Sequence, residues 1–589
     1  MENRVEYFVI VALAIPLSIY IWAAYRTPKS MTDTLPNYYI AFRKVDSAPY
    51  ANASLAYAFQ VATLFPFLYW GVQGQILPAI VNAICWGLGI FIFRFNITHI
   101  LALLNKNVEP HTLHGILGNY YKSALVQKTS ATVTIVGMIG VALAEAYWGM
   151  QILRVLVPED TPTYYAIVLA TLLFVLIYIW YGGTWGSMKT DMLQLVFSYI
   201  GFTGVFLFAI SIIFLNPSLL KSDMGIIYLL MFIGGAVTVF VRINKNIAPI
   251  VMISDNSSSN TEVSNEQNKL WNILFKTLSV ATIAAIGALS ISFGWLFIQS
   301  FPKLSFKQLM NPGDPNWHGI IALSIMASFY QFVDMSAWQR LQSLGGSSEN
   351  AKYHASKGLL LYGIESSFSW LMCISLGIVL VTIIPELSVV TDKAGPLAAI
   401  PRILLSSGSI VRIIVALLFM IAVMGVMLST IDSALLATMY AYTADIRQYS
   451  FKNIDIEDKE AMREKRHDLL ESKKSAFWIV LLICFGVVFL GWILKTPDKL
   501  IGVMVGFYGA MLSMFPAIIF MIKNRKGLSG IAIAWGIIFG ILGSLTFTTW
   551  GLFDSDRAWD AVFVGPGLAL LITELINSFV LKKEAINVK

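Results

Sequence analysis

The stretch GVMLSTIDSALLATMYAYTADI, residues 425–446, decides how this chain is read. It lies in an apolar run long enough to cross a bilayer, yet it carries Ser429, Thr430, Asp432, Ser433, Thr438, Thr443 and Asp445. A single hydroxyl on such a helix can bond back to the carbonyl one turn earlier at little cost. Two adjacent hydroxyls followed by a carboxylate ask for another explanation. Ser429 and Asp432 are one helical turn apart, as are Thr430 and Ser433. These are hard oxygen ligands, suited to Na⁺ or another hard cation rather than to a soft metal.

The composition around this stretch is that of a polytopic membrane protein. The 589 residues are 57% hydrophobic and 13% charged, against roughly 25% charged in a soluble domain. Apolar runs of about 20 residues recur along the whole length. They predict about fifteen spans, near 5–25, 52–72, 74–95, 131–156, 163–183, 190–215, 224–243, 271–299, 318–338, 358–384, 410–440, 476–495, 499–522, 529–552 and 559–581. No small-residue cleavage site follows Val5–Tyr25, so that run is expected as a span rather than a leader.

Alternate loops are basic. One set holds Arg26, Lys29, Arg43 and Lys44, later Arg340, Lys352 and Lys357, and the cluster Arg447–Lys474. The opposite set includes the acidic PEDTP loop, 158–162. Basic loops stay on the cytoplasmic side, which predicts an outside N-terminus and a cytoplasmic C-terminus in the cell membrane. The net charge of +7 therefore belongs to particular loops of a chain set in the lipid bilayer, and no nucleic-acid partner is expected. Cys85, Cys373 and Cys484 fall in spans, where packing explains them better than disulfides. The six histidines show no metal-ligand spacing, and no structural metal is expected. The loop 254–269 reads as polar and the segment 451–474 as a solvated helix with i,i+4 charge pairs. Nucleotide, kinase and metalloprotease motifs are absent, so an enzyme is not expected.

Ionisable residues inside spans cost about 2.5–3.5 kcal/mol on insertion scales and mark function by default. Here they are Glu145, Asp191, Asp334, Glu365 and Asp432. Each has a plainer reading. Asp334 can pair with Arg340, and Asp191 can complement the start of a helix. Glu145 needs a partner such as a cation, a proton or a hydroxyl. Pro66 in QVATLFPFLYWG can break its span and free carbonyls near mid-depth, or merely kink it.

YIWYGGTWGSMKTDMLQ (178–194) resembles the Y-x-x-x-GG…TD-x-x-Q signature of the sodium/solute symporter family, which includes the sodium–glucose and sodium–proline carriers. The matching positions are Tyr181, Gly182, Gly183, Thr190, Asp191 and Gln194. LSTIDSALLATMYAYTADI (428–446) is similar to that family's S-[ST]-x-D-S-x-LL helix. NYYIAFRKV (37–45), with Phe42 where glycine is usual, WQRL (338–341) and 514–540 resemble further family segments.

The resemblance implies an all-α protein with a five-plus-five inverted-repeat core of the leucine-transporter type. An extra span and cytoplasmic loop would occupy 1–51, the first repeat 52–215, two inserted spans with the polar loop 216–317, the second repeat 318–522, and C-terminal spans 523–589. The span alternation agrees, since 52–72 and 318–338 run in opposite senses. It also implies sodium held by the hydroxyls of Ser429 and Thr430, the carbonyl of Val426, carbonyls near Tyr57 and Gln60, and Asp191. Phe59 stands where the family often has Asn or Asp. Solute contacts would come from Thr63, Gln73, Gln75, Glu145, Gln331, Asp334 and Glu365. The implied function is Na⁺-coupled symport of a small polar organic solute by alternating access. The alternatives are proton coupling through Glu145 or Glu365, and a transporter-like sensor.

Overall fold

The computed structural model describes residues 2–27, 32–41, 45–105, 112–155, 157, 161–220, 224–244, 261–300, 317–344, 348–389, 395–406, 409–449, 459–493, 497–551 and 554–587. Among them the chain is helical, apart from one isolated bridge between Val45 and Leu344. Phe42, Arg43 and Lys44, residues 158–160, residues 254–260 and residues 451–458 lie outside them, while 261–269, expected as loop, begins the helix Thr261–Ser300.

All fifteen expected spans fall on helices. Among the described residues, twelve helices are long and apolar enough to cross a membrane, and a bent pair, Ser47–Ala58 with Val61–Val72, makes another span. Ala14–Tyr25 is a shorter apolar stretch of the first helix. The remaining span comes from Pro162–Leu215, whose 54 residues hold two spans in one run. At 1.5 Å per residue it would measure about 80 Å if straight, more than twice the hydrocarbon core. The chain instead turns at Gly183, where φ is 50° and ψ −147°. Tyr178 and Thr190, on either side, would be about 18 Å apart along a straight axis. Both hydroxyls nevertheless donate to the same carboxylate oxygen of Asp432, at 2.9 and 3.3 Å.

Gly183 is required twice over. Its φ lies in the left-handed region, and an added Cβ would sit 2.6 Å from the Tyr38 carbonyl oxygen. Gly183→Ala is therefore expected to destabilise the protein by about 1–3 kcal/mol, the scale of a strained non-glycine backbone. A clear drop in melting temperature of the purified chain checks this; an unchanged value would refute it.

Asp191 does not begin a helix, contrary to the sequence reading. The helix restarts directly after Gly183, which leaves Asp191 about two turns inside it. The break in the first core span is also displaced. It falls at Phe59–Gln60, with a 60° bend, and Pro66 sits within the intact Val61–Val72 helix.

Small residues let the helices approach closely, as membrane packing requires. At the crossing of Val61–Val72 with Ser348–Ile383, an added Cβ on Gly71 would lie 2.3 Å from Ile374 O, and one on Gly377 would lie 2.3 Å from Leu68 O. The inserted helices Gly225–Asn244 and Thr261–Ser300 bury Tyr228, Met231, Leu289 and Phe293 toward the core. They leave Ile233, Phe240, Ile291 and Ile298 exposed on the outer face. Trp535, Phe539, Leu571 and Phe579 of the last two long helices are exposed in the same way, a face that suits lipid.

Candidate functional site

The site grows from the break at Phe59–Gln60. Two backbone N–H groups that would close the helix are diverted: Gln60 N–H goes to Ala58 O (3.0 Å), and Val61 N–H goes to Glu145 Oε2 (2.9 Å). The carbonyls of Ala56 and Tyr57 thereby lose their helical partners. Ala62 N–H donates to Glu145 Oε1 at 2.8 Å, so this carboxylate caps the new N-terminus with both oxygens. The helix starting at Trp317 breaks comparably at Asp334, whose side chain accepts from Ser336 N–H at 2.9 Å and caps Met335–Gln342.

The freed carbonyls meet the polar face of Ile410–Ala441. Ser429 Oγ lies 2.8 Å from Ala56 O and 3.0 Å from Val426 O. Thr430 Oγ1 lies 3.3 Å from both Tyr57 O and Val426 O. Two hydroxyls and three carbonyl oxygens thus converge at one point, all buried. This is the hard-oxygen chemistry that a small hard cation needs. Ser429, Thr430, Val426 and Tyr57 come together as expected. Gln60 does not join them: its carbonyl accepts from Leu64 N–H at 2.7 Å and Thr63 N–H at 3.2 Å. Ala56, missed in the sequence, takes its place because Gln60 N–H turns to Ala58 O and leaves the Ala56 carbonyl free.

Directly adjoining lie two further acids. Asp432 accepts from Tyr178 (2.9 Å), Ser187 (3.1 Å), Ser433 (3.1 Å) and Thr190 (3.3 Å). Among the described residues, neither oxygen of the buried Asp191 has a hydrogen-bond partner. The guanidinium of Arg340 lies 3.9 Å from Asp191 and donates to Ser336 and Ser433, each at 2.6 Å. Two carboxylates against one guanidinium leave one negative charge over when all three are ionised, a field that favours a cation. The WQRL match did not signal this role for Arg340.

The expected solute contacts separate into groups. Thr63 stays near the break, with Oγ1 3.4 Å from Gln60 Oε1. Gln331 Nε2 donates to Tyr362 OH at 2.9 Å, beside Asp334. Tyr57 OH bridges Tyr330 OH (2.7 Å) and Asp334 Oδ1 (3.4 Å), while Tyr508 OH donates to Gln60 Oε1 (2.5 Å). Tyr508 was not anticipated; nothing in its apolar span distinguishes it from core. Gln73 and Gln75 are exposed in the turn before Ile76–Phe95, away from this cluster, because polarity alone does not report depth. Glu365 is also removed from it. Arg242 of the inserted helix donates to both its oxygens, at 2.9 and 2.5 Å.

At the far end of Ile410–Ala441 the polar residues fasten the helix exit. Asp445 accepts from Thr112 (2.5 Å) and Gln127 (3.0 Å) and lies 2.8 Å from His114 Nδ1. Thr443 and Ser472 are 2.6 Å apart, and Tyr39 bonds Ser472 as well.

No family model and no curated protein matches the chain. Among solved structures, a Na⁺-coupled sialic acid symporter in a substrate-bound, outward-open state is similar, with a TM-score of 0.52 at 14% identity over 96% of this chain and 98% of that one. A nucleobase-cation-symport-1 family transporter in a closed conformation, with bromovinylhydantoin bound, gives a TM-score of 0.43 at 13% identity over 93% and 95%. The first likeness shows the fold: an all-helical, multi-pass membrane protein with the leucine-transporter-like architecture expected above.

Proposed function

We propose that this chain is a sodium-coupled symporter that carries a small polar organic solute across the cell membrane by alternating access. The observation that carries this reading is the meeting of Ser429 and Thr430 with the freed carbonyls of Ala56 and Tyr57 and with Val426 O. A cation there would join the first broken helix to Ile410–Ala441 and fix the break where the solute enters. Asp191 and Asp432 would hold the ion on its way to the cytoplasm. The solute would sit between the breaks at Gln60 and Asp334, against Tyr57, Tyr330 and Tyr508. The alternation of basic loops supports an outside N-terminus, repeats at 52–215 and 318–522, and an insertion between them.

Sodium is favoured over protons because the two acids considered for proton coupling are engaged: Glu145 caps a helix, and Glu365 is paired with Arg242. The membrane potential would add about 2.3 kcal/mol per charge per 100 mV to uptake. The test is reconstitution into vesicles with an inward sodium gradient and a panel of labelled polar solutes. Accumulation of a solute that stops when choline replaces Na⁺ is the expected result. Accumulation driven in choline by an acid exterior would replace sodium with the proton.

A further inference from the structure

Both half-helices that begin at the breaks have their N-termini filled by protein carboxylates. An N-terminus of this kind concentrates about half a positive charge and presents unpaired N–H groups. In transporters with broken helices it is the place where an anionic group of the substrate docks. Here Glu145 reaches across from Ala124–Met150 and occupies the start of the 12-residue Val61–Val72 helix with both oxygens, at 2.9 and 2.8 Å. Its side chain is fully buried, and no ion pair to it occurs among the described residues. Asp334 fills the start of Met335–Gln342.

We infer that Glu145 is a resident anion that sets solute selectivity: it takes the position a solute carboxylate would need, so the transported solute is uncharged and polar. This deepens the transport reading above and rests on it. The groups left between the breaks fit such a solute. Tyr57, Tyr330 and Tyr508 offer hydroxyls and ring faces, with the Tyr330 and Tyr508 centroids 4.8 Å apart. Gln60 is fully buried; its Oε1 is held by Tyr508, but its Nε2 has no partner among the described residues. An orphaned buried donor costs about 1–3 kcal/mol, which an acceptor oxygen on the solute would recover. A hydroxyl or carbonyl oxygen meets that need without bringing charge. Asp334 does not call for a cationic solute, since Ser336 N–H and Tyr57 OH already serve it, and Arg340 stacks 4.9 Å from the Tyr57 ring. A carboxylate on the solute would lie against Glu145, and like charges in a water-poor site repel strongly.

The experiment melts the purified full chain and two variants with and without sodium formate, using sodium chloride as the control. Glu145→Ala removes the carboxylate and opens room at Val61 and Ala62. Its melting temperature should fall, and formate should restore several degrees while leaving the wild type unmoved. Glu145→Gln keeps the volume but opposes an amide hydrogen to one N–H. It should melt lower than wild type and ignore formate. Formate acting equally on wild type and Glu145→Ala, or Glu145→Gln melting like wild type, would overturn the inference. If Glu145→Ala yields no folded protein, the Glu145→Gln result decides. A second arm pairs nicotinamide with nicotinate and glucose with glucuronate on the wild type. Sodium-dependent stabilisation by either anion overturns the inference; its absence for both is the expected result. The formate arm needs no sodium coupling, so its failure is separable from failure of the sodium site, which the Ser429 variant reads.

Discussion

Ser429→Ala is expected to raise the sodium concentration needed for half-maximal stabilisation by about 10- to 150-fold, the equivalent of about 1.5–3 kcal/mol for one bond to a charged group. The hydroxyl lies 2.8 Å from Ala56 O and 3.0 Å from Val426 O, so it stands between the two backbones that a cation would join. Alanine removes the ligand and leaves the carbonyls in place. Thr430→Ala should act in the same direction, with a weaker effect, because its oxygen lies 3.3 Å from both its carbonyls. Thr430→Ser keeps the oxygen and should behave like wild type. The measurement is melting temperature against sodium concentration, with choline chloride holding ionic strength constant. Loss of sodium dependence with an unchanged melting point in choline separates an ion ligand from a packing residue. Unshifted sodium midpoints in both alanine variants would sink the site.

What could be read in advance follows from how local each signal is. Span positions were legible because crossing the membrane needs a long apolar run whatever surrounds it. The pair Ser429 and Thr430 was legible because adjacent hydroxyls followed by Asp432 are hard to explain by back-bonding alone. The break was misplaced because Pro66 is a local cue, whereas the true break depends on Glu145, more than eighty positions away in sequence. That bond diverts Val61 N–H and frees the Tyr57 carbonyl, while Gln60 N–H turns to Ala58 O and frees that of Ala56, so Ala56 stands where Gln60 was expected. Gln73 and Gln75 looked like site residues for lack of any depth signal, and the structure places them in an exposed turn. Tyr508 was invisible for the opposite reason, as one aromatic residue in an apolar helix.

Glu365 fits neither pattern, and its partner makes the second large prediction. Arg242→Ala is expected to cost about 3–5 kcal/mol, because it strands a buried carboxylate rather than merely removing a contact. Arg242 donates to both oxygens of Glu365 at 2.9 and 2.5 Å, and both side chains are nearly inaccessible. The same guanidinium lies 5.7 Å from the ring of Tyr199, whose hydroxyl is 2.9 Å from Ser369 on the helix of Glu365. One residue of the insertion therefore ties together Pro162–Leu215, Ser348–Ile383 and Gly225–Asn244. The double variant Arg242→Leu, Glu365→Leu should recover most of the loss, since a buried ion pair replaced by apolar side chains is often neutral or stabilising. Thermal melting of the two single variants and the double variant reads this directly. If Arg242→Ala melts with wild type, the pair does not hold the inserted helices to the core. If the double variant melts as low as Arg242→Ala, the loss comes from packing around the guanidinium and not from the stranded charge. Recovery in the double variant would show that the inserted helices are fastened by complementary shape once the charges are gone.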